Sequence, residues 1–167
     1  MNLDEAVVVA LGSNLAGDYP SPERLLDAAL THFPRVGLPV LCVSRWWRAA
    51  AWPDPTAPEY RNGVALVEAR QGPQAVLSAL LSIERAFGRV RGARNRPRTL
   101  DLDLIAHGRT VCDEPNLSLP HPRAHERLFV MGPLADVAPH WGHPVLNRTA
   151  ADLAASAVVG VDAHPIA

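Results

Sequence analysis

Asp101 and Asp103 stand two residues apart in the run Thr99-Leu100-Asp101-Leu102-Asp103-Leu104-Ile105. In an extended chain, alternation puts both carboxylates on one face and Leu100, Leu102 and Leu104 on the other. Asp is disfavoured in strands. Two of them about 7 Å apart repel by about 2 kcal/mol at an effective dielectric near 20. A hard divalent cation reverses the sign of that interaction. Mg²⁺ takes one or two carboxylates and completes its shell with water and substrate phosphates. Taken alone, such a pair is more often a solvated strand face whose acids meet Arg.

The neighbouring residues shift that balance. Arg85, Arg89, Arg91, Arg94, Arg96 and Arg98 all precede the acidic pair closely, most of them in a segment that also holds Gly88, Gly92 and Pro97. Guanidinium forks match phosphate oxygens in bidentate geometry. One such Arg is ordinarily a surface charge; six beside a paired-Asp site fit a nucleoside triphosphate. Leu119-Pro120-His121-Pro122-Arg123 and Glu126-Arg127-Leu128-Phe129 add cations and an aromatic. His121 and His125 are four apart, but no Cys or further His completes a zinc site. His121 therefore suits a phosphate or ribose contact. In Tyr60-Arg61-Asn62, the Asn62 amide both donates and accepts, as the edge of a heterocycle requires. Phe129 and Trp52 are candidates to stack on such a ring. Trp46, Trp47 and Trp141 are assigned to packing.

Composition bounds what can position these groups. The chain has 167 residues, 48% apolar and 20% charged, with a formal net charge of −1. That suits a single domain, 1–167, with a sizeable core. It also lacks the global basic character of a nucleic-acid or membrane-surface binder. All 16 basic residues are Arg. The absence of Lys excludes a Schiff-base mechanism and a GxxxxGK[ST] phosphate loop. Cys42 and Cys112 form no metal or redox motif and read as idle thiols. The apolar run 6–11 is too short for a signal-peptide core or a membrane span. A cytoplasmic location is expected.

The elements follow from periodicity. Residues 6–11 read as a buried strand ended by Gly12, with turn chemistry at Gly12-Ser13-Asn14. Residues 22–33 read as a helix with Ser21 as N-cap and Pro22 at its first position. Residues 36–47 read as one strand, 49–58 as a loop and 60–69 as a third strand. Residues 73–87 are expected to form a helix whose inward face carries Val76, Leu77, Leu80, Leu81, Glu84 and Phe87. Residues 99–106 make a fourth strand, with a hairpin turn at His107-Gly108-Arg109 into 110–112. A loop over 113–122, a helix over 125–133 and a short helix over 150–157 complete the chain. The order β-α-β-β-α-β is the ferredoxin-like arrangement: α+β, an antiparallel sheet with helices on one face, here with a small C-terminal hairpin or helical addition.

Together the motifs resemble the 6-hydroxymethyl-7,8-dihydropterin pyrophosphokinase family of folate biosynthesis. The resemblance rests on Val9-Ala10-Leu11-Gly12-Ser13-Asn14-Leu15, Tyr60-Arg61-Asn62, Gly88-Arg89-Val90-Arg91, Pro97-Arg98-Thr99-Leu100-Asp101-Leu102-Asp103-Leu104 and the two segments through Phe129. These pieces come in family order over about residues 6–139. It implies a ferredoxin-like fold and transfer of the β,γ-diphosphate of ATP to the pterin hydroxymethyl oxygen, leaving AMP. It further implies two Mg²⁺ ions on Asp101 and Asp103, with Arg89 and Arg98 stabilising the transferring group. ATP contacts fall to Arg91, Ser118, His121 and Arg127, with Leu77, Leu81, Glu84 and Leu104 framing the nucleotide. Ala49, Ala50, Trp52, Tyr60, Asn62 and Phe129 match the pterin side. A monomer is expected, acting on small molecules alone.

The sequence departs from many family members at Arg94-Asn95-Arg96-Pro97-Arg98, which lacks their Trp, and at Ala49-Ala50-Ala51-Trp52, which lacks their Thr or Glu with Pro. Backbone contacts to a ring survive the second change; side-chain contacts do not. Two alternatives stand beside it. One is another nucleotide-dependent transferase on the same fold. The other is an Arg-rich RNA-binding module, which lacks the aromatic sheet signature of that class.

Overall fold

The valine run near the start of the chain forms the centre of the molecule. In the computed structural model, described for residues 1–51, 54, 56–88 and 100–166, β1 (Val7–Ser13) is buried along its whole length. It lies between β4 (Tyr60–Val67) and β5 (Asp101–His107), antiparallel to both. Val7, Val9 and Leu11 pack on one face of the sheet, Val8 and Ala10 on the other. Burial on both faces explains why the run is continuously apolar rather than alternating.

One face is covered by α1 (Pro22–His32) and α2 (Pro73–Ala86). Ser21 caps α1 as expected, its hydroxyl accepting the Arg24 N–H at 3.2 Å. The other face is covered by α3 (Leu128–Val137) and α4 (Ala150–Ala155), through Val130, Met131, Leu134 and Leu153 with Trp141. The expectation of helices on one face is corrected here. Val8, Ala10, Leu66 and Ile105 leave a second apolar surface that water cannot cover, and the C-terminal third of the chain covers it.

Three further expectations change. Strand β1 continues through Gly12 and Ser13, where a turn was expected, because Asn62, Arg61 and Asp101 pair with that segment. The strand expected over 36–47 divides into β2 (Val40–Val43) and β3 (Trp47–Ala49), both on β4. At the break the Ser44 hydroxyl accepts the Val64 N–H at 2.9 Å. Trp46 packs on the α1 side, its ring occupying the space a Cβ at Gly63 would take. Trp47 packs on the other side, where its Nε1 donates to Asp136 on α3. Last, the segment after Gly108 does not return to β5. β6 (Cys112–Glu114) pairs with β7 (Leu117–Leu119) in a separate hairpin, within the stretch expected to be a loop. Burial of Leu117 and Leu119 in the core drives that pairing.

The main sheet runs β5-β1-β4-β3-β8, with β2 also on β4 and β8 being His164–Pro165. β5, the strand carrying the paired aspartates, is therefore an edge. Among the described residues no helix is long and apolar enough to cross a membrane.

Candidate functional site

Strand β5 presents its two aspartates as the alternation requires. Leu100, Leu102 and Leu104 are buried in the core under α1 and α2, while Asp101 is half-buried and Asp103 exposed. Asp101 pairs with Gly12 and Asp103 with Ala10 across the ladder. Both carboxylates line a cavity of about 920 Å³. Small residues on β1 keep it open: a Cβ at Gly12 would stand 3.1 Å from Asn62 Oδ1.

The same cavity collects residues from three other elements. Tyr60 and Asn62 come from β4, Ala49 from the end of β3, and Phe129 from the first turn of α3; Ala50, Arg123 and Arg127 complete this part of the wall. Asn62 is only 8% exposed, and its Nδ2 has no hydrogen-bond partner among the described residues. A buried donor costs free energy unless something accepts from it, and this one belongs to a residue that lines the cavity. Phe129 has the Arg127 guanidinium 5.7 Å from its ring centroid. Arg61, between the two β4 site residues, is turned away. Its Nε lies 2.6 Å from Glu23 Oε1 and ties β4 to α1.

The charged lining among the described residues is four carboxylates, Asp101, Asp103, Glu126 and Asp162, against Arg123 and Arg127. That excess of hard oxygen donors, with Asp101 and Asp103 on one strand face, fits a divalent cation. Among the described residues no group of three His, Cys, Asp or Glu forms a closed metal site. Two carboxylates with the remaining positions left to water and phosphate are what Mg²⁺ takes.

His121 sits beside β5, its N–H donating to Ile105 O at 2.8 Å. Its Nδ1 accepts the Arg123 N–H at 3.2 Å. Burial first, then the positive charges of Arg127, Arg123 and His125, push its pKa down to about 4. The ring is neutral at pH 7 and remains an acceptor there.

The remaining expected residues lie elsewhere. Leu77, Leu81, Glu84 and Leu104 are on the α2 side of β5, outside the cavity lining. Glu84 is 1% exposed and accepts the Leu102 N–H at 2.8 Å. The Ser118 hydroxyl donates to Asp113 in the β6–β7 hairpin, at 2.9 Å. Arg89, Arg91, Arg98 and Trp52 lie outside the described residues.

One part of the wall lies outside the motifs of the sequence. Residues 158–162 line the cavity opposite β5. Val158 and Val159 N–H groups donate to Glu126 O, and Leu128 N–H donates to Val159 O at 2.9 Å. The trace in the sequence was the run Val158-Val159-Gly160-Val161, apolar yet too short and Gly-broken for a core strand.

A family model described as 7,8-dihydro-6-hydroxymethylpterin-pyrophosphokinase (HPPK) matches residues 8–139. A 2-amino-4-hydroxy-6-hydroxymethyldihydropteridine pyrophosphokinase of Pseudomonas aeruginosa is 38% identical over 164 residues, covering 96% of this chain and 98% of that protein. The Synechocystis protein of the same name is 38% identical over 142 residues, 85% of this chain and 71% of that one. Among solved structures, wild-type Plasmodium falciparum HPPK-DHPS with pteroate matches with a TM-score of 0.67 at 12% identity. It covers 90% of this chain and 42% of that one, so the chain spans under half the length of that protein. A triple mutant of the same protein with SDX-DHP gives a TM-score of 0.70 at 15% identity, covering 90% and 44%. At these identities the structural likeness speaks to the fold, a mixed helical and antiparallel-sheet one.

Proposed function

Because the chain belongs to the 7,8-dihydro-6-hydroxymethylpterin-pyrophosphokinase family, we propose that the cavity between β5 and α3 is where it joins its two substrates. The chain is an ATP-dependent diphosphotransferase of folate synthesis, acting on 6-hydroxymethyl-7,8-dihydropterin. The observation that carries the site assignment is the convergence of Asp101, Asp103, Asn62 and Phe129 on one cavity.

In this reading the hydroxymethyl oxygen attacks the β-phosphorus of ATP. The bond from that phosphorus to the α,β-bridging oxygen breaks, AMP leaves, and the hydroxyl proton passes to water. Asn62 pairs with the ring edge and Phe129 stacks on its face, so the hydroxymethyl group points toward β5. Tyr60 and the backbone of Ala49 and Ala50 border the same ring, with Trp52 beyond them. Asp101 and Asp103 would hold two Mg²⁺ ions, which would neutralise polyphosphate charge and favour in-line displacement. Arg89 and Arg98 stabilise the transferring group. Arg91, Ser118, His121 and Arg127 contact the nucleotide, which extends from the cavity past the edge strand β5 and is framed by Leu77, Leu81, Glu84 and Leu104 on the α2 side. No dedicated general base is needed where positioning and charge stabilisation carry the rate. The strand order β5-β1-β4 with β2 and β3 outside supports a ferredoxin-like core, and 1–167 acts as one domain in this account.

The test is product identity. Purified protein, ATP, Mg²⁺ and the pterin are expected to yield a pterin carrying two phosphates by mass spectrometry. A monophosphorylated pterin, or an unaltered one with ATP consumed, would overturn the reading.

A further inference from the structure

The family match ends at residue 139, yet chain beyond it lines the cavity. Residues 158–162 run from the start of α3 across to β3 and continue into β8, which pairs with Trp47 and Arg48. Two contacts of this strap fall on groups that border the ring site. Asp162 Oδ2 accepts the Ala50 N–H at 2.7 Å. Gly160, at φ +66°, lies against Phe129 so closely that a Cβ there would stand 2.5 Å from the ring's Cδ1.

The sequence makes these contacts consequential. Ala49, Ala50 and Ala51 have no polar side chain with which to fix their own loop or reach a substrate. Whatever this loop offers a heterocycle, it offers through backbone and methyl groups, and their placement depends on what holds the backbone. Asp162 does so with a charge-assisted bond. Gly160 allows the strap to pass the edge of Phe129 and limits where that ring can tilt. Val158 and Val161, 71% and 66% exposed at the cavity's edge, give the strap an apolar rim with no core to fill.

We propose that Asp162 and Gly160 are positioning residues for the planar heterocyclic substrate, the strap setting the Ala49–Ala51 wall through Ala50 and the stacking ring through Phe129. This rests on the diphosphotransferase reading of the cavity.

The experiment uses the full chain with a non-hydrolysable ATP analogue and 6-hydroxymethylpterin as fluorescent probe. Asp162→Ala is expected to weaken pterin binding about tenfold while nucleotide affinity and thermal midpoint stay at wild-type values. Asp162→Asn keeps an acceptor oxygen and is expected to restore most of the affinity. Gly160→Ala, which forces Phe129 to move, is expected to weaken pterin binding selectively too. Wild-type pterin affinity in Asp162→Ala, or equal loss of pterin and nucleotide binding, would overturn the proposal while leaving the cavity's function standing. A wild-type chain that binds nucleotide but no pterin would overturn both.

Discussion

Glu84 Oε2 accepts the backbone N–H of Leu102 at 2.8 Å, so a carboxylate buried on α2 holds the residue between Asp101 and Asp103. β5 is an edge strand, with β1 on one side only. Its outward N–H groups need partners other than a neighbouring strand, and Glu84 supplies one from the helix. The geometry of the acidic pair therefore depends on a residue on the far face of the sheet. Glu84→Leu leaves that N–H buried and unbonded and is expected to cost about 1–3 kcal/mol of stability. Glu84→Gln keeps an acceptor and should cost less. Urea midpoints of the two variants check this; equal midpoints would show that the bond contributes nothing.

Asp101→Ala and Asp103→Ala are each expected to lower turnover at least about 100-fold with the fold intact. Neither side chain belongs to the core, and removing one relieves repulsion within the pair. Steady-state rates at saturating Mg²⁺, with circular dichroism to verify folding, decide the matter. Wild-type turnover in either variant would remove the metal role.

Asn62→Ala should act on one substrate only. Asn62 lines the cavity and its buried Nδ2 has no hydrogen-bond partner among the described residues, so in this reading its loss removes ring recognition without touching the nucleotide side. Pterin affinity is expected to fall about tenfold or more, and ATP affinity to hold. Titrations with each ligand separate these effects, and a parallel loss of both would place Asn62 in the scaffold instead.

His121 sets a pH dependence of stability. Its folded pKa is about 4, against 6.5 for an ordinary imidazole. Between those values the unfolded chain binds more protons than the folded one, so stability is full above pH 6.5 and falls as pH drops toward 4. His143, whose pKa burial also lowers, adds to the same slope. His121→Gln is expected to shrink the difference between urea midpoints at pH 7 and pH 5 without abolishing it. An unchanged difference would mean that His121 is not buried as a neutral ring.

Much of the site was legible because its chemistry sits on strands. Alternation alone put Asp101 and Asp103 opposite Leu100, Leu102 and Leu104, and the inward position of Glu84 followed from helical spacing. Trp46 and Trp47 resisted the same reasoning. Two adjacent bulky residues packed on opposite faces look like one continuous strand until Ser44 and Gly63 are seen to break it. The β6–β7 hairpin was hidden because two alternating Leu within a polar stretch give too little signal. The strap at 158–162 was hidden for another reason: its bonds to Glu126 and Leu128 are made by backbone, which leaves no mark on residue type.

This chain moves a diphosphate, not a single phosphoryl group, and does so onto a pterin. Quantifying AMP and ADP from ATP and Mg²⁺, with and without 6-hydroxymethyl-7,8-dihydropterin, tests it most directly. AMP is expected to appear only with the pterin, and ADP not at all. ADP as the product, or AMP formed equally without the pterin, would contradict it.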